Sequence, residues 1–290
     1  MGVRSLATLV ECRDIIIGVD LGAALAPVRF GLPPHILELK RLEEVLDSIR
    51  VALSESHLII ITHYHYDHYM KDHADLYAGK TLIVKNPQRD INFSQRMRSH
   101  RFLKKSGLID KARVEFGDGR LFSIARDLTI EMSPPVWHGE AESVVGKVLM
   151  ARIECEDEVA IFASDTQGPV DREALEILVK WSERRPRYLV IGGPATYLEG
   201  SKLSRGVAEK GLANLLYLIE KARPDYLIVD HHLLRDRSYR GYLAEHFRVA
   251  AMRGVSLLTA AEYEGRPVEQ LEAWRRELWG IESRSRHSSS

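Results

Sequence analysis

Leu58-Ile-Ile-Ile-Thr-His63-Tyr-His65-Tyr-Asp67-His68-Tyr69 is the stretch that orders the rest of the chain. Its apolar run is short, continuous and rich in β-branched residues, as expected of a strand buried on both faces. His63, His65, Asp67 and His68 follow at once. His63 and His65 are two apart and project the same way from extended backbone, whereas Asp67 and His68 turn toward a second position. Imidazole nitrogen with carboxylate oxygen suits zinc, iron, manganese or nickel. A lone histidine here would read as a satisfied polar group. Four coordinating side chains in six residues at the carboxyl end of a strand read as a metal site.

The chain around this stretch is ordinary in composition: 290 residues, 45% hydrophobic and 28% charged, with 41 basic and 41 acidic side chains. Fibrous, collagenous and wholly disordered chains are excluded. With zero formal charge, no global field draws it to nucleic acid or membrane, so any such affinity must be local. No apolar stretch is long enough to span a bilayer, and the start lacks the pattern of a secretion signal. Cys12 and Cys155 are the only cysteines. They are expected to be small buried hydrophobes in a reducing, cytoplasmic interior. Three Asn and four Gln against 29 Arg lean toward a hot-growing source.

Strands are expected at Leu6–Glu11, Asp14–Asp20, Leu58–Thr62, Thr81–Val84, Leu121–Ile124, Leu128–Met132, Lys147–Ile153, Val159–Ser164, Tyr188–Ile191 and Tyr226–Asp230. Helices are expected over Glu38–Ser54, Gln88–Lys105, after Asp171, and over Ser204–Ala222 with Ser204 as N-cap. Strand-rich halves with flanking helices predict an α/β (α+β sandwich) architecture, helices outside and sheets inside. Nothing linker-like divides the chain, so residues 1–282 read as one domain and 283–290 as a frayed tail. Leu58-Ile-Ile-Ile-Thr-His63 and Leu227-Ile-Val-Asp-His231 echo one another, as two halves built alike would.

At these residues the sequence resembles the metallo-β-lactamase superfamily, whose signature is His-x-His-x-Asp-His after a strand. Four further motifs of that family find matches in order: Ile17-Gly-Val-Asp20, Pro134-Pro-Val-Trp-His138-Gly, Ile161-Phe-Ala-Ser-Asp165-Thr and Leu227-Ile-Val-Asp-His231-His232. The resemblance implies a four-layer αββα fold and a dinuclear metal site. It implies His63, His65 and His138 on one divalent ion, Asp67, His68 and the final histidine on the second, and Asp165 bridging. Asp67 and Asp165 are thereby catalytic as well as ligating, and the attacking group is a bridging hydroxide. Asp20 would orient a ligand by hydrogen bonding. Of the last pair, the echo favours His231 as ligand, with His232 facing the pocket or the core. Zinc is expected first, with iron or manganese as alternatives. Gly2-Val-Arg-Ser-Leu-Ala-Thr, the Pro-Pro-His35 loop, Asp230-His-His-Leu-Leu-Arg235-Asp and Leu258-Thr-Ala-Ala-Glu-Tyr263 are similar to an archaeal branch of metal-dependent hydrolases in that superfamily.

Fold alone does not name a substrate. Lys85–Lys105 holds seven cations against Asp90, which favours a small-molecule or nucleic-acid phosphodiester. Lys85, Arg89 and Arg101 are expected to contact it, although charge runs more often pair with acids elsewhere. Lys202 and Arg205, before a helix, form a second anion-site candidate, and Tyr197 a hydrogen-bond donor. Tyr64 and Tyr66 alternate with His63 and His65 and are expected to pack away from the ligands. A lactone or thioester hydrolase is the alternative enzyme reading, and a metal-dependent binding protein without turnover the alternative to an enzyme. His35, His57, His73, His100 and His246 are expected to serve the surface, packing or a helix start.

Overall fold

The computed structural model describes residues 2–201 and 203–281; Lys202 and the 283–290 tail lie outside the described residues. Five strands, β1 (Thr8–Cys12), β2 (Ile15–Val19), β3 (Leu58–Ile61), β4 (Thr81–Val84) and β5 (Arg113–Phe116), form one sheet in chain order. The hairpin β1–β2 is antiparallel and the other pairings are parallel. The other large sheet comprises β6 (Leu121–Ala125), β7 (Leu128–Met132), β10 (Ala151–Cys155), β11 (Glu158–Phe162), β12 (Tyr188–Gly192), β13 (Tyr226–Asp230) and β14 (Ser256–Leu258). Its order is β14-β13-β12-β11-β10-β7-β6. The strands from β11 to β14 run parallel. A two-stranded ribbon, β8 (Val136–Trp137) with β9 (Lys147–Val148), completes the β structure among the described residues.

Alternation along the strands produces the layers. In β3, Leu58 and Ile60 face the opposite sheet, where they join Ile130, Ile153 and Phe162. Ile59 and Ile61 face the other way, onto Ile49 and Leu53 of helix α1 (Ile36–Glu55). In the second sheet, Val190 and Ile228 point inward between the sheets. Leu189, Ile191, Leu227 and Val229 point outward, onto α3 (Arg172–Trp181), α4 (Val207–Lys221) and α6 (Ala244–Arg253). Three apolar clusters therefore separate four layers, αββα. A strand buried on both faces must be apolar throughout, which is why β3 reads as a continuous run.

The helix starts follow local chemistry. His35 caps α1 reciprocally with Glu38, and Asp171 caps α3. The helix expected over Gln88–Lys105 is shorter: α2 spans Phe93–Ser99 under an Asn92 cap, and His100–Lys105 continues as π-type turns. Ser204 does not cap α4, which begins after Gly206 at φ 82°. The strand expected over Lys147–Ile153 divides into β9 and β10, because the Leu149 amide leaves its sheet to donate to Thr62 O of the other (3.0 Å). β5 and β14, short and weakly patterned, escape the sequence reading.

The cysteines also differ from expectation. Cys12 and Cys155 form a disulfide, Cα atoms 5.9 Å apart across 143 residues of chain. It ties β1 of one sheet to β10 of the other, an adjacency that exists only once the sandwich has formed. Among the described residues no helix is long and apolar enough to cross a membrane.

Closing so long a loop restricts the unfolded chain by about 5 kcal/mol in the chain-entropy account. Alkylation under denaturing, non-reducing conditions should label no cysteine, and both after reduction. Cys12→Ser should lower the melting midpoint by several degrees; labelling without reductant would show that the pair is not bonded.

Candidate metal centre

Four strands deliver the site from their carboxyl ends: β2 leads to Asp20, β3 to Thr62 and His63, β11 to Ser164 and Asp165, and β13 to His231. The loop after β8 adds His138. Asp20 (φ 48°), Ser164 (φ 52°) and His231 (φ 63°) occupy the left-handed region, Asp20 and His231 immediately past their strands and Ser164 two residues past its own. Such backbone costs about 1–3 kcal/mol per residue and persists where the surroundings over-determine it. Here it turns the chain out of the sheet, which after Ser164 and His231 aims Asp165 and His232 at the centre. Gly22 lets the loop after β2 pass the motif, since a Cβ there would sit 2.1 Å from the Tyr69 amide nitrogen.

Asp165 Oδ2 is the centre. It lies 3.1 Å from His138 Nε2, 3.2 Å from the Nε2 atoms of His68 and His232, 3.4 Å from that of His231 and 3.9 Å from that of His63. One carboxylate oxygen cannot accept hydrogen bonds from five imidazoles. Asp165 Oδ1 is buried with no hydrogen-bond partner. Oriented nitrogen lone pairs around an under-used carboxylate are what divalent cations require, so the residues fit. Possible ligand atoms lie within 4.8 Å of one another in overlapping groups: His63, His65, His138 and Asp165; Asp67, His68 and His231; Asp165, His231 and His232.

A buried network sets the tautomers. Asp20 accepts from the Thr62 amide (2.8 Å), the Thr62 hydroxyl (2.6 Å) and His68 Nδ1 (2.9 Å). Neutral His68 therefore carries its proton on Nδ1 and presents a bare Nε2 toward Asp165. With its own proton given to Asp20, Thr62 Oγ1 accepts from His63 Nδ1 (3.0 Å) and from the Ser164 hydroxyl (2.8 Å), which frees His63 Nε2 likewise. Gln167 lies 3.2 Å from His138 Nδ1. With its oxygen turned to the ring, Gln167 accepts that proton, and its otherwise partnerless Oε1 is satisfied.

Burial pushes His65 down to about 3 and His63 well below its ordinary value, leaving neutral imidazoles. Burial would also lower His68, but Asp165 and Asp20 outweigh it and push it well above. Burial alone would raise Asp67 and Asp165. The neighbouring histidines, with Arg235 also acting on Asp67, hold both carboxyls well below the usual range.

Above the centre opens a cavity of about 1320 Å³. Tyr197 lines it, as do Arg4, Arg29, Arg98, Arg235 and Arg237. Arg29 stacks over Tyr197 (4.7 Å), Arg98 over Tyr66 (4.5 Å) and Arg237 over Trp274 (3.4 Å). Arg235, buried, donates to Tyr197 Oη (3.0 Å), His232 Nδ1 (3.2 Å) and His231 Nε2 (2.8 Å).

Lys85, Arg89, Arg101 and Arg205 do not line this cavity. Lys85 is fully buried, 3.3 Å from Asp118 Oδ1 and 3.2 Å from Arg89 O. Tyr64 packs away as expected and donates to Lys85 O (2.7 Å), but Tyr66 faces the cavity, because strand alternation ends where residues 66–67 turn. Of the other histidines, His35 caps α1 and His57 Nδ1 accepts from the Ile16 amide. Sequence reasoning missed Thr62, Ser164, Gln167 and the cavity arginines. Arg235 carried one signal, its spacing of three and four from His232 and His231.

This αββα arrangement is the metallo-β-lactamase fold, with a His/Asp cluster able to hold metal at its carboxyl edge. No protein-family model matches the chain. The chain belongs to the UPF0282 protein family: it is 54% identical to a UPF0282 protein of Aeropyrum pernix, with 96% of this chain and 95% of that one covered. It is 39% identical to one of Pyrobaculum islandicum (97% and 92% covered). Among solved structures it is similar to an isothiocyanate hydrolase from Delia radicum gut bacteria, with a TM-score of 0.53 and 14% identity over 90% of this chain and 95% of that one. A CmlA β-hydroxylase variant gives a TM-score of 0.54 and 14% identity over 89% of this chain, which spans only 51% of that one. At such identities the likeness speaks for the fold alone.

Replacing Asp20 with asparagine removes the acceptor that holds His68 and Thr62 in place. Asp20→Asn should weaken metal binding about 10–100-fold in competition against a chelator; unchanged affinity would show that Asp20 does not orient the ligands.

Proposed function

We propose that this protein is a metal-dependent hydrolase with a dinuclear site, acting on a phosphodiester or another phosphate-bearing substrate. The observation that carries this reading is the convergence of five imidazole nitrogens on Asp165 beneath an arginine-lined cavity. His63, His65 and His138 would hold one divalent ion, Asp67, His68 and His231 the second, and Asp165 would bridge them. Zinc is the first choice, with iron or manganese as alternatives. Bound ions would supply Lewis acidity at the scissile group and acidify coordinated water.

The assignment of His231 over His232 rests on hydrogen bonding. His231 groups with Asp67 and His68. His232 Nδ1 accepts from Arg235, so its Nε2 keeps the proton and donates to Asp165. Loading His231 Nε2 would displace the Arg235 hydrogen bond there and release that guanidinium toward a substrate anion.

Charge supports an anionic substrate. Glu272 is shared by Arg4 (2.7 Å) and Arg29 (3.0 Å), so one carboxylate serves two guanidiniums. Arg98 has no acid partner among the described residues, and Arg235 meets only Asp67, at 3.6 Å. A phosphate group would satisfy these donors in paired fashion. Because Arg235 donates to Tyr197 Oη, the phenolic proton is free to point at a substrate or leaving-group oxygen.

Elemental analysis of the purified protein should find two metal ions per chain, and it should hydrolyse bis(p-nitrophenyl) phosphate. Asp165→Ala should reduce turnover by more than the 10–100-fold typical of residues that only orient ligands. Two ions without phosphodiester turnover would move the search to lactones and thioesters; absence of metal would overturn the reading. Tyr197→Phe should lower kcat more than it raises KM if the phenol acts in the transition state, and equal binding and turnover would exclude that role.

A further inference from the structure

Residues 89–105, which include helix α2 and the π-type turns after it, carry a run of cations of which the cavity takes only Arg98. Arg89, Arg96, Arg101, Lys104 and Lys105 are exposed, and Arg98 is half-buried. In Lys85–Lys105 the ion pairs are Lys85 with Asp118 and Asp90 with Lys147. Among the described residues none of the other six cations pairs with a carboxylate. An arginine-rich surface helix ordinarily neutralises itself with acids nearby, and this one does not.

Two large apolar side chains stand among these charges: Phe93 is 77% exposed and Met97 46%. Phe93, Met97, Arg101 and Lys105 follow at a spacing of four, close to one stripe of the helical surface. The opposite side is anchored, with Phe102 and Leu103 packed in the core beneath the first sheet. At about 1.5 Å per residue the α-helical part of the stripe, Phe93 to Met97, spans roughly 6 Å, and the π-type turns carry it on to Lys105. Its connection to the cavity is Arg98, which lines the cavity and stacks on Tyr66 beside His65 and Asp67.

We propose that this surface binds the sugar-phosphate backbone of a single-stranded nucleic acid and leads it to the metal centre. The inference rests on the phosphodiesterase reading and narrows its substrate to a polymer. Unpaired cations along a track meet successive phosphates, and an exposed aromatic ring among them offers a stacking surface for a base. A single strand fits better than a duplex, because a base must be unstacked to reach Phe93 and the half-buried Arg98–Tyr66 pair. A membrane surface fits less well. An interfacial helix presents a broad apolar face to lipid, and here two apolar side chains stand among six cations.

Fluorescence anisotropy on the full chain tests this with a labelled, phosphorothioate-linked oligothymidylate, a cleavage-resistant probe, titrated at several salt concentrations. Log affinity should fall with log salt at about −0.7 per phosphate neutralised. The variant Arg96→Ala/Lys104→Ala/Lys105→Ala should flatten that slope by about 2 and weaken low-salt binding at least tenfold. Phe93→Ala should weaken it by roughly tenfold, as loss of a stacked base does. A thermal melt close to that of the unsubstituted chain would show that the variants are folded. Failure of the unsubstituted chain to bind, identical binding by the triple variant, or capture by phosphatidylserine vesicles without oligonucleotide binding would each overturn the proposal. Hydrolysis of bis(p-nitrophenyl) phosphate without oligonucleotide binding would leave the hydrolase standing and remove the track. Binding without any ester hydrolysis would do the reverse.

Discussion

Thr62 is where the two sheets are locked together at the carboxyl edge of the sandwich. Its amide and hydroxyl both donate to Asp20, and its hydroxyl accepts from Ser164 of the opposite sheet. Its carbonyl accepts the Leu149 amide, again from the opposite sheet. Every one of these groups is buried, where an unmade hydrogen bond costs about 1–3 kcal/mol. A side chain without the hydroxyl would leave Asp20, His63 and Ser164 each short of a partner.

That lock makes the strain at the edge tolerable. Asp20, Ser164 and His231 sit in left-handed backbone; the strands before Ser164 and His231 fill two apolar clusters, and the strand before Asp20 fills the one between the sheets. Farther away, the Cys12–Cys155 bond ties the sheets together and the fully buried Glu38–Arg275 pair (2.8 Å) fastens the C-terminal segment to α1. The pair is costly to bury and more costly to break on one side only. Its effect is to place Glu272 and Trp274 against the loop that carries Arg29 and Phe30, which builds one wall of the cavity.

Charge is distributed in two tiers around the centre. The floor holds carboxylates and imidazoles, a donor set that fits divalent cations. The wall holds guanidiniums stacked on aromatic rings, where the ring covers one face and leaves the edge N–H groups to reach an anion. Farther out, the α2 surface carries charges without partners.

The metal-binding motif, the buried character of β3 and the order of layers were legible in the sequence, because each depends on local spacing: two for a strand, one strand end for the ligands. Asp20, His138, Asp165 and His231 were legible only through the resemblance to a family whose motifs they match in order. Tertiary structure alone decided the rest. Whether Lys85 faced substrate or an internal Asp118, whether Cys12 met Cys155, and which arginines reached the cavity depend on contacts between segments 33 to 268 residues apart. Residue type cannot carry that information: a lysine in a basic run looks the same in sequence whether its ammonium is solvated or sealed beneath a loop. The period of a strand is set by its own backbone, but the partner of a charge is set by which surfaces the core brings together.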